Sequence, residues 1–156
     1  MSRSGANLAL LLLGNYRAMV DSALSELADR GFDDVRPIHE FAMRAIDAGA
    51  DTASDLGRRM SVTKQAASKT IAALLERGYV VRRSDPNDAR RKQIVVTERG
   101  HRLMAEGEAI FDDIREDLRS RLGDRGLAAL ERSLTTMIGD AGIRLDAPGL
   151  AAQELD

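Results

Sequence analysis

The stretch "YVVRRSDPNDARRKQIVV", residues 79–96, limits what this chain can fold into more than any other. "YVVRRS" and "QIVV" are rich in Val and Ile and are the only segments with convincing strand character. Between them, Asp85, Pro86, Asn87 and Asp88 are turn formers, and Arg90, Arg91 and Lys92 follow at once. The pattern predicts a β-hairpin with a long, charged tip. The plain alternative for that tip is a solvated turn.

Everything around the hairpin reads as helix. From Ala6 to Arg30, Leu10, Leu13, Arg17, Val20, Leu24 and Leu27 recur at steps of three and four, and Gly31 ends the run. Leu8, Leu11 and Leu12 widen the apolar stripe to nearly the whole circumference, which asks for cover from a partner chain. A second helix is expected around Pro37, capped by an Asp, with Ile38, Phe41, Ala42, Ala45 and Ile46 buried. A short third follows Thr52 as cap, with Asp55 three residues on. Thr63 caps a fourth, on which Ala67, Ile71, Leu74 and Leu75 form one apolar stripe. Thr97 caps a long helix through Leu122 with Leu103, Ile110, Ile114 and Leu118 on one side, and Asp124 caps a last one ending at Ile138. The tail, residues 146–156, is expected to fray.

Charge divides the chain. Over residues 56–102 there are 12 Lys and Arg against 4 Asp and Glu, although the whole chain carries a net charge of −2. One strongly basic segment in an otherwise acidic chain marks that segment for a polyanion. The total of 156 residues, 44% hydrophobic and 31% charged, is one soluble domain's worth, here residues 1–145. There is no cysteine, which excludes disulfides and thiolate zinc sites and fits a cytoplasmic protein. The N-terminal "LALLLLG" is far short of the ~20 apolar residues that span a bilayer, so a buried helix is expected there rather than a membrane anchor.

Helix, short helix, helix and then hairpin is the order of a winged helix-turn-helix. The fold class expected is mainly α with a small β-hairpin, the DNA-binding lobe running from about 34 to 100. In such folds the second helix of the pair presents its first residues to base edges in the major groove. Lys64 and Gln65 suit that role, since Gln pairs bidentately with adenine and Lys reaches guanine acceptors. Ser61, Thr63, Ser68 and Lys69 complete the candidate recognition surface. A solvated amphipathic helix is the competing account, and the basic flanks "GRRM" and "RRSDPNDARRK" weigh against it.

The run "DPNDARRKQIVVTERG" resembles the D-P-x-D-x-R, apolar strand, T-x-x-G signature of the MarR family of transcriptional regulators. Asp85, Pro86, Asp88, Arg90, Thr97 and Gly100 match it in type and spacing, while Ala89 stands where a glycine or larger residue is common. "LLERGYVVR" upstream is similar to that family's junction between recognition helix and wing. The resemblance implies a homodimer, joined through helices at about 6–30 and 101–140, on a near-palindromic operator with half-sites ~10 bp apart. It implies a repressor whose wing-tip arginine, Arg90 by position, enters the minor groove, where A·T-rich DNA concentrates negative potential. Asp88 is then expected to hold the Arg90 guanidinium by a charge-assisted hydrogen bond, with a local Asx-turn as its other possible role. Arg82 and Arg91 are the remaining wing candidates.

The same resemblance implies release by a small aromatic or phenolic effector, often anionic, for which Tyr16, His39, Phe41 and Arg44 are the candidate lining residues. No enzyme motif is present, the two histidines stand alone, and the acids Asp112, Asp113, Glu116 and Asp117 are interleaved with arginines as on a solvated face. No cofactor and no metal site are expected. The rival class is a ligand-binding or scaffold dimer that keeps this fold without specific DNA binding.

Overall fold

Seven elements make up the chain in a computed structural model, which describes residues 5–139. They are α1 (Gly5–Asp29), α2 (Pro37–Asp47), α3 (Ala53–Met60), α4 (Lys64–Glu76), β1 (Val80–Ser84), β2 (Lys92–Val96) and α5 (Glu98–Ile138). This is the mainly α, winged helix order expected from the sequence. The tail at 146–156 lies outside the described residues.

Each of three threonines starts its helix by accepting a hydrogen bond from a backbone N–H three residues on. Thr52 takes the Asp55 amide, Thr63 the Ala66 amide and Thr97 the Gly100 amide, all at 3.1 Å. The start of α2 differs from expectation. Its cap position is Arg36, not an Asp, and the Arg36 N–H donates to Nδ1 of His39 at 3.2 Å. Asp34 is committed elsewhere: its carboxylate accepts from the Tyr79 hydroxyl at 2.7 Å and faces Arg77 at 3.5 Å.

The core is where α2, α3, α4 and the hairpin meet the first turns of α5. Ala42, Met43 and Ile46 of α2, Leu56 and Met60 of α3, and Ala67, Ile71 and Leu74 of α4 are buried together with Tyr79, Val80, Ile94, Leu103 and Ile110. Each large apolar side chain there contributes ~1.5–3 kcal/mol by leaving water. Phe41 and Ala45 of α2 are only half-buried.

The hairpin pairs antiparallel with Val80 opposite Val96, Arg82 opposite Ile94 and Ser84 opposite Lys92. Its base is welded to α5. Thr97 donates its hydroxyl to the Gly78 carbonyl at 2.7 Å, and its amide donates to the Tyr79 carbonyl at 2.9 Å. A Cβ on Gly100 would lie 2.4 Å from the Tyr79 carbonyl oxygen and 2.6 Å from a Val96 methyl. Only glycine lets the helix lie this close to the strand. The T-x-x-G spacing is therefore a joint between wing and helix.

The long α5 is two limbs, 98–122 and 124–138, broken at Gly123 (φ 71°, ψ 165°). Arg115 and Glu131 meet at 2.7 Å, although 16 helical residues would set them ~24 Å apart on a straight axis. The second limb thus doubles back along the first. The break falls where two separate helices were expected, beside Asp124, whose carboxylate accepts from Arg119 at 3.0 Å.

Candidate nucleic-acid interface

Helix α4 is laid on the body by Ala67, Ile71 and Leu74, and that fixes its outward face. Lys64, Gln65, Ser68 and Lys69 are all exposed on the opposite side, in the first two turns. The first turn of a helix has free N–H groups and a partial positive charge, which together favour an anion. Thr63 is also exposed, with its oxygen accepting from Ala66 as cap. Ser61 sits in the turn between α3 and α4 in the left-handed conformation (φ 54°, ψ 39°). That turn is tight, since a Cβ on Gly57 would come within 3.0 Å of the Val62 carbonyl oxygen. Ser61 sets the angle between the two helices before it reads anything.

The wing tip is a ladder of short bonds. Asp85 is buried, and its carboxylate accepts from the Asn87 amide at 2.8 Å. Its own amide donates to the Arg91 carbonyl at 2.9 Å, closing the loop 85–91. Asp88 Oδ1 accepts from the backbone N–H of Arg90 at 3.0 Å. Asp88 therefore forms the Asx-turn and shapes the backbone under Arg90; the guanidinium pairing expected of it is absent among the described residues. Arg91 is held by side-chain bonds. Its guanidinium lies 2.9 Å from both carboxylate oxygens of Asp51 and 3.7 Å from Asp85, so it is tied to the body.

The surface made by α4 and the hairpin carries cations without carboxylates. Among the described residues, Lys64 and Lys69 of α4 and Arg82, Arg83 and Arg90 of the hairpin are exposed and take part in no ion pair. On α5, Arg115, Arg119 and Arg121 are each matched to an acid, while Arg125 and Arg132 take part in no ion pair among the described residues. Exposed cations without a carboxylate partner are free to meet an anion. Arg83 had no place in the sequence reading. Its signal was there in "VVRRS", where adjacent arginines must point to opposite faces of the strand.

The four effector candidates separate into three places. Tyr16 and Phe41 come together in an apolar cleft of about 110 Å³ with Met19, Leu24, Glu40 and Phe111, between α1, α2 and the first limb of α5. Burial raises the Tyr16 hydroxyl pKa. Arg44 lies on the outside of α2, paired with Glu40 at 2.9 Å. His39 is buried at the start of α2, away from the cleft lining, and its pKa is lowered to about 4 by burial and by the nearby Arg77 and Arg36. A neutral ring is what its capping role needs, because Nδ1 must accept.

Helix α1 leaves Leu8, Leu10, Leu11, Leu12 and Leu13 exposed, and α5 leaves Leu122, Leu130, Met137 and Ile138 exposed. Leu10 keeps 66% of its surface in water. So large an apolar display is the mark of an interaction surface. Among the described residues no helix is long and apolar enough to cross a membrane, and no group of three or more His, Asp or Glu is placed to hold a metal.

The three-helix core, the turn between α3 and α4 and the hairpin welded to α5 define a winged helix-turn-helix protein. Within that class, residues 41–91, from α2 to the wing tip, match the family model described as the MarR family. No curated protein matches the sequence. Among solved structures, the fold is similar to that of Streptococcus pneumoniae FabT in complex with DNA (16% identity, TM-score 0.71, 86% of this chain and 94% of that one). It is similar also to MepR, a transcription regulator of the Staphylococcus aureus multidrug efflux pump MepA (22% identity, TM-score 0.64, 83% and 95%). MepR bound to ethidium bromide matches at 21% identity and a TM-score of 0.61, over 86% and 94%. At these identities the likeness establishes the fold.

Proposed function

We propose that this chain is a sequence-specific DNA-binding transcription regulator, working in the cytoplasm as a homodimeric repressor on a near-palindromic operator. The observation that carries the reading is the set of unpaired cations, Lys64, Lys69, Arg82, Arg83 and Arg90, around the open end of α4 and the wing. Gln65 and Lys64 read bases in the major groove, Thr63, Ser68 and Lys69 hold phosphates, and Arg90 enters the flanking minor groove. The exposed leucines of α1 and the second limb of α5 form the dimer, and two-fold symmetry pairs the recognition helices with two half-sites. That one solved neighbour was captured with DNA fits this reading.

The cleft at Tyr16, Phe41 and Phe111 is the effector site in this account. The lining is apolar apart from Glu40, whose carboxylate is already paired with Arg44, so the cleft favours an uncharged aromatic molecule over the phenolic anion expected from sequence.

The test is a gel-shift titration with the duplex that the chain selects from a random library. Arg90→Ala is expected to weaken binding at least tenfold with fold and dimer intact. Changing Gln65 is expected to alter which sequences are selected. Unchanged binding by Arg90→Ala overturns the wing assignment, and failure to select any sequence favours a dimer without specific DNA binding.

A further inference from the structure

We propose that Arg91 is a positioning residue that locks the wing to the body, with Asp51 as its essential partner, and that it makes no contact with DNA. The inference rests on the DNA-binding reading, but the lock itself is a property of the free protein.

The geometry points to it in three ways. Arg91 is the one cation of the wing tip held by acids from two different elements, Asp51 in the loop between α2 and α3 and Asp85 at the root of the tip. The Asp51 backbone carbonyl also accepts from the Ile94 amide at 3.2 Å, so the same residue grips β2 by its main chain and the tip by its side chain. Finally, the Arg91 carbonyl accepts from Asp85, which anchors the residue at both ends. Moving this guanidinium to a phosphate would leave two carboxylates, one of them buried, without a counter-charge. Arg90, one residue earlier, has no such tie. The pair divides the labour: Arg91 fixes the direction in which Arg90 leaves the wing.

Asp51→Asn separates positioning from simple charge. Removing an acid from a DNA-binding surface strengthens binding if only the field matters. The lock predicts the reverse: about fivefold to tenfold weaker binding to the selected duplex by fluorescence anisotropy. Arg91→Met is expected to weaken binding similarly while keeping the wild-type slope of log K against log salt, whereas Arg90→Met lowers that slope by ~0.9. Arg91→Lys keeps the charge but loses the planar fork, and is expected to restore only part of the affinity. The double variant Asp51→Asn with Arg91→Met should be no worse than either single one.

Hydrogen exchange of the free protein provides the second measurement. Amides of residues 85–92 should exchange faster in Asp51→Asn while those of α4 do not change. Equal or tighter binding by Asp51→Asn overturns the proposal. So does a salt slope lowered by about one unit in Arg91→Met, which would make Arg91 a phosphate contact. If the wild type selects no duplex, the DNA reading fails, and unchanged exchange in Asp51→Asn then removes the lock as well.

Discussion

Replacing Gly100 by alanine puts one methyl group where the structure has no room, and its effect can be worked from the distances. The new Cβ would sit 2.4 Å from the Tyr79 carbonyl oxygen and 2.6 Å from a Val96 methyl, and 3.3 Å from the Tyr79 carbonyl carbon. Two of these three atoms are backbone, so relief requires α5 to back away from the hairpin. That movement strains the Thr97–Tyr79 amide bond at 2.9 Å and the Thr97–Gly78 hydroxyl bond at 2.7 Å. Overpacking alone costs ~1–3 kcal/mol, and weakening the Thr97 cap adds ~1 kcal/mol. Against this stands ~1 kcal/mol gained from alanine's helix propensity. The net expectation is a loss of about 1–3 kcal/mol, read as a lower urea midpoint by circular dichroism at fixed protein concentration. Gly107→Ala is the control, because the nearest atom its Cβ would meet is a Glu40 carboxylate oxygen at 3.5 Å, an ordinary contact, and it should leave stability unchanged or raised. If Gly100→Ala unfolds within ~0.5 kcal/mol of the wild type, as surface substitutions do, the account of this joint is wrong.

Other perturbations follow from the same structure. His39 has a pKa lowered from 6.5 to about 4, so the folded state resists a proton that the unfolded state accepts. Its contribution is complete above pH 6.5 and is lost as pH falls from 6.5 to about 4, by at most about 3 kcal/mol; His39→Gln should flatten that part of a stability–pH profile. Thr63→Ala removes the cap of α4 and should lower unfolding free energy by ~1 kcal/mol, measured by urea titration. Leu10→Glu puts a charge in the apolar surface of α1 and should convert dimer to monomer in sedimentation velocity; an unmoved dimer would place the interface elsewhere.

How much was legible depended on how far the partners lie apart in sequence. The threonine caps were readable because donor and acceptor are three residues apart, and the hairpin because alternating Val and Ile flank turn formers. The T-x-x-G pattern was visible, yet its reason, the approach of Gly100 to the Tyr79 carbonyl, needs residues 21 apart to meet. The tie from Arg91 to Asp51 was not readable, because the two lie 40 residues apart. The capping role of His39 was hidden for another reason: a histidine that accepts from the Arg36 amide at the start of its own helix has no compositional signature. The cap expected at Asp124 announced a break but not its direction, which shows only where Arg115 meets Glu131. The cleft draws Tyr16, Phe41 and Phe111 from three helices, a meeting that no local pattern announces.

The central claim, a dimer that reads DNA sequence, is tested most directly by fluorescence anisotropy of the full chain on its selected duplex and on a scrambled one, at physiological salt. The account predicts two chains bound per duplex and a preference for the selected sequence of ~10³ or more. Equal affinity for both duplexes, or no binding to either, would contradict it.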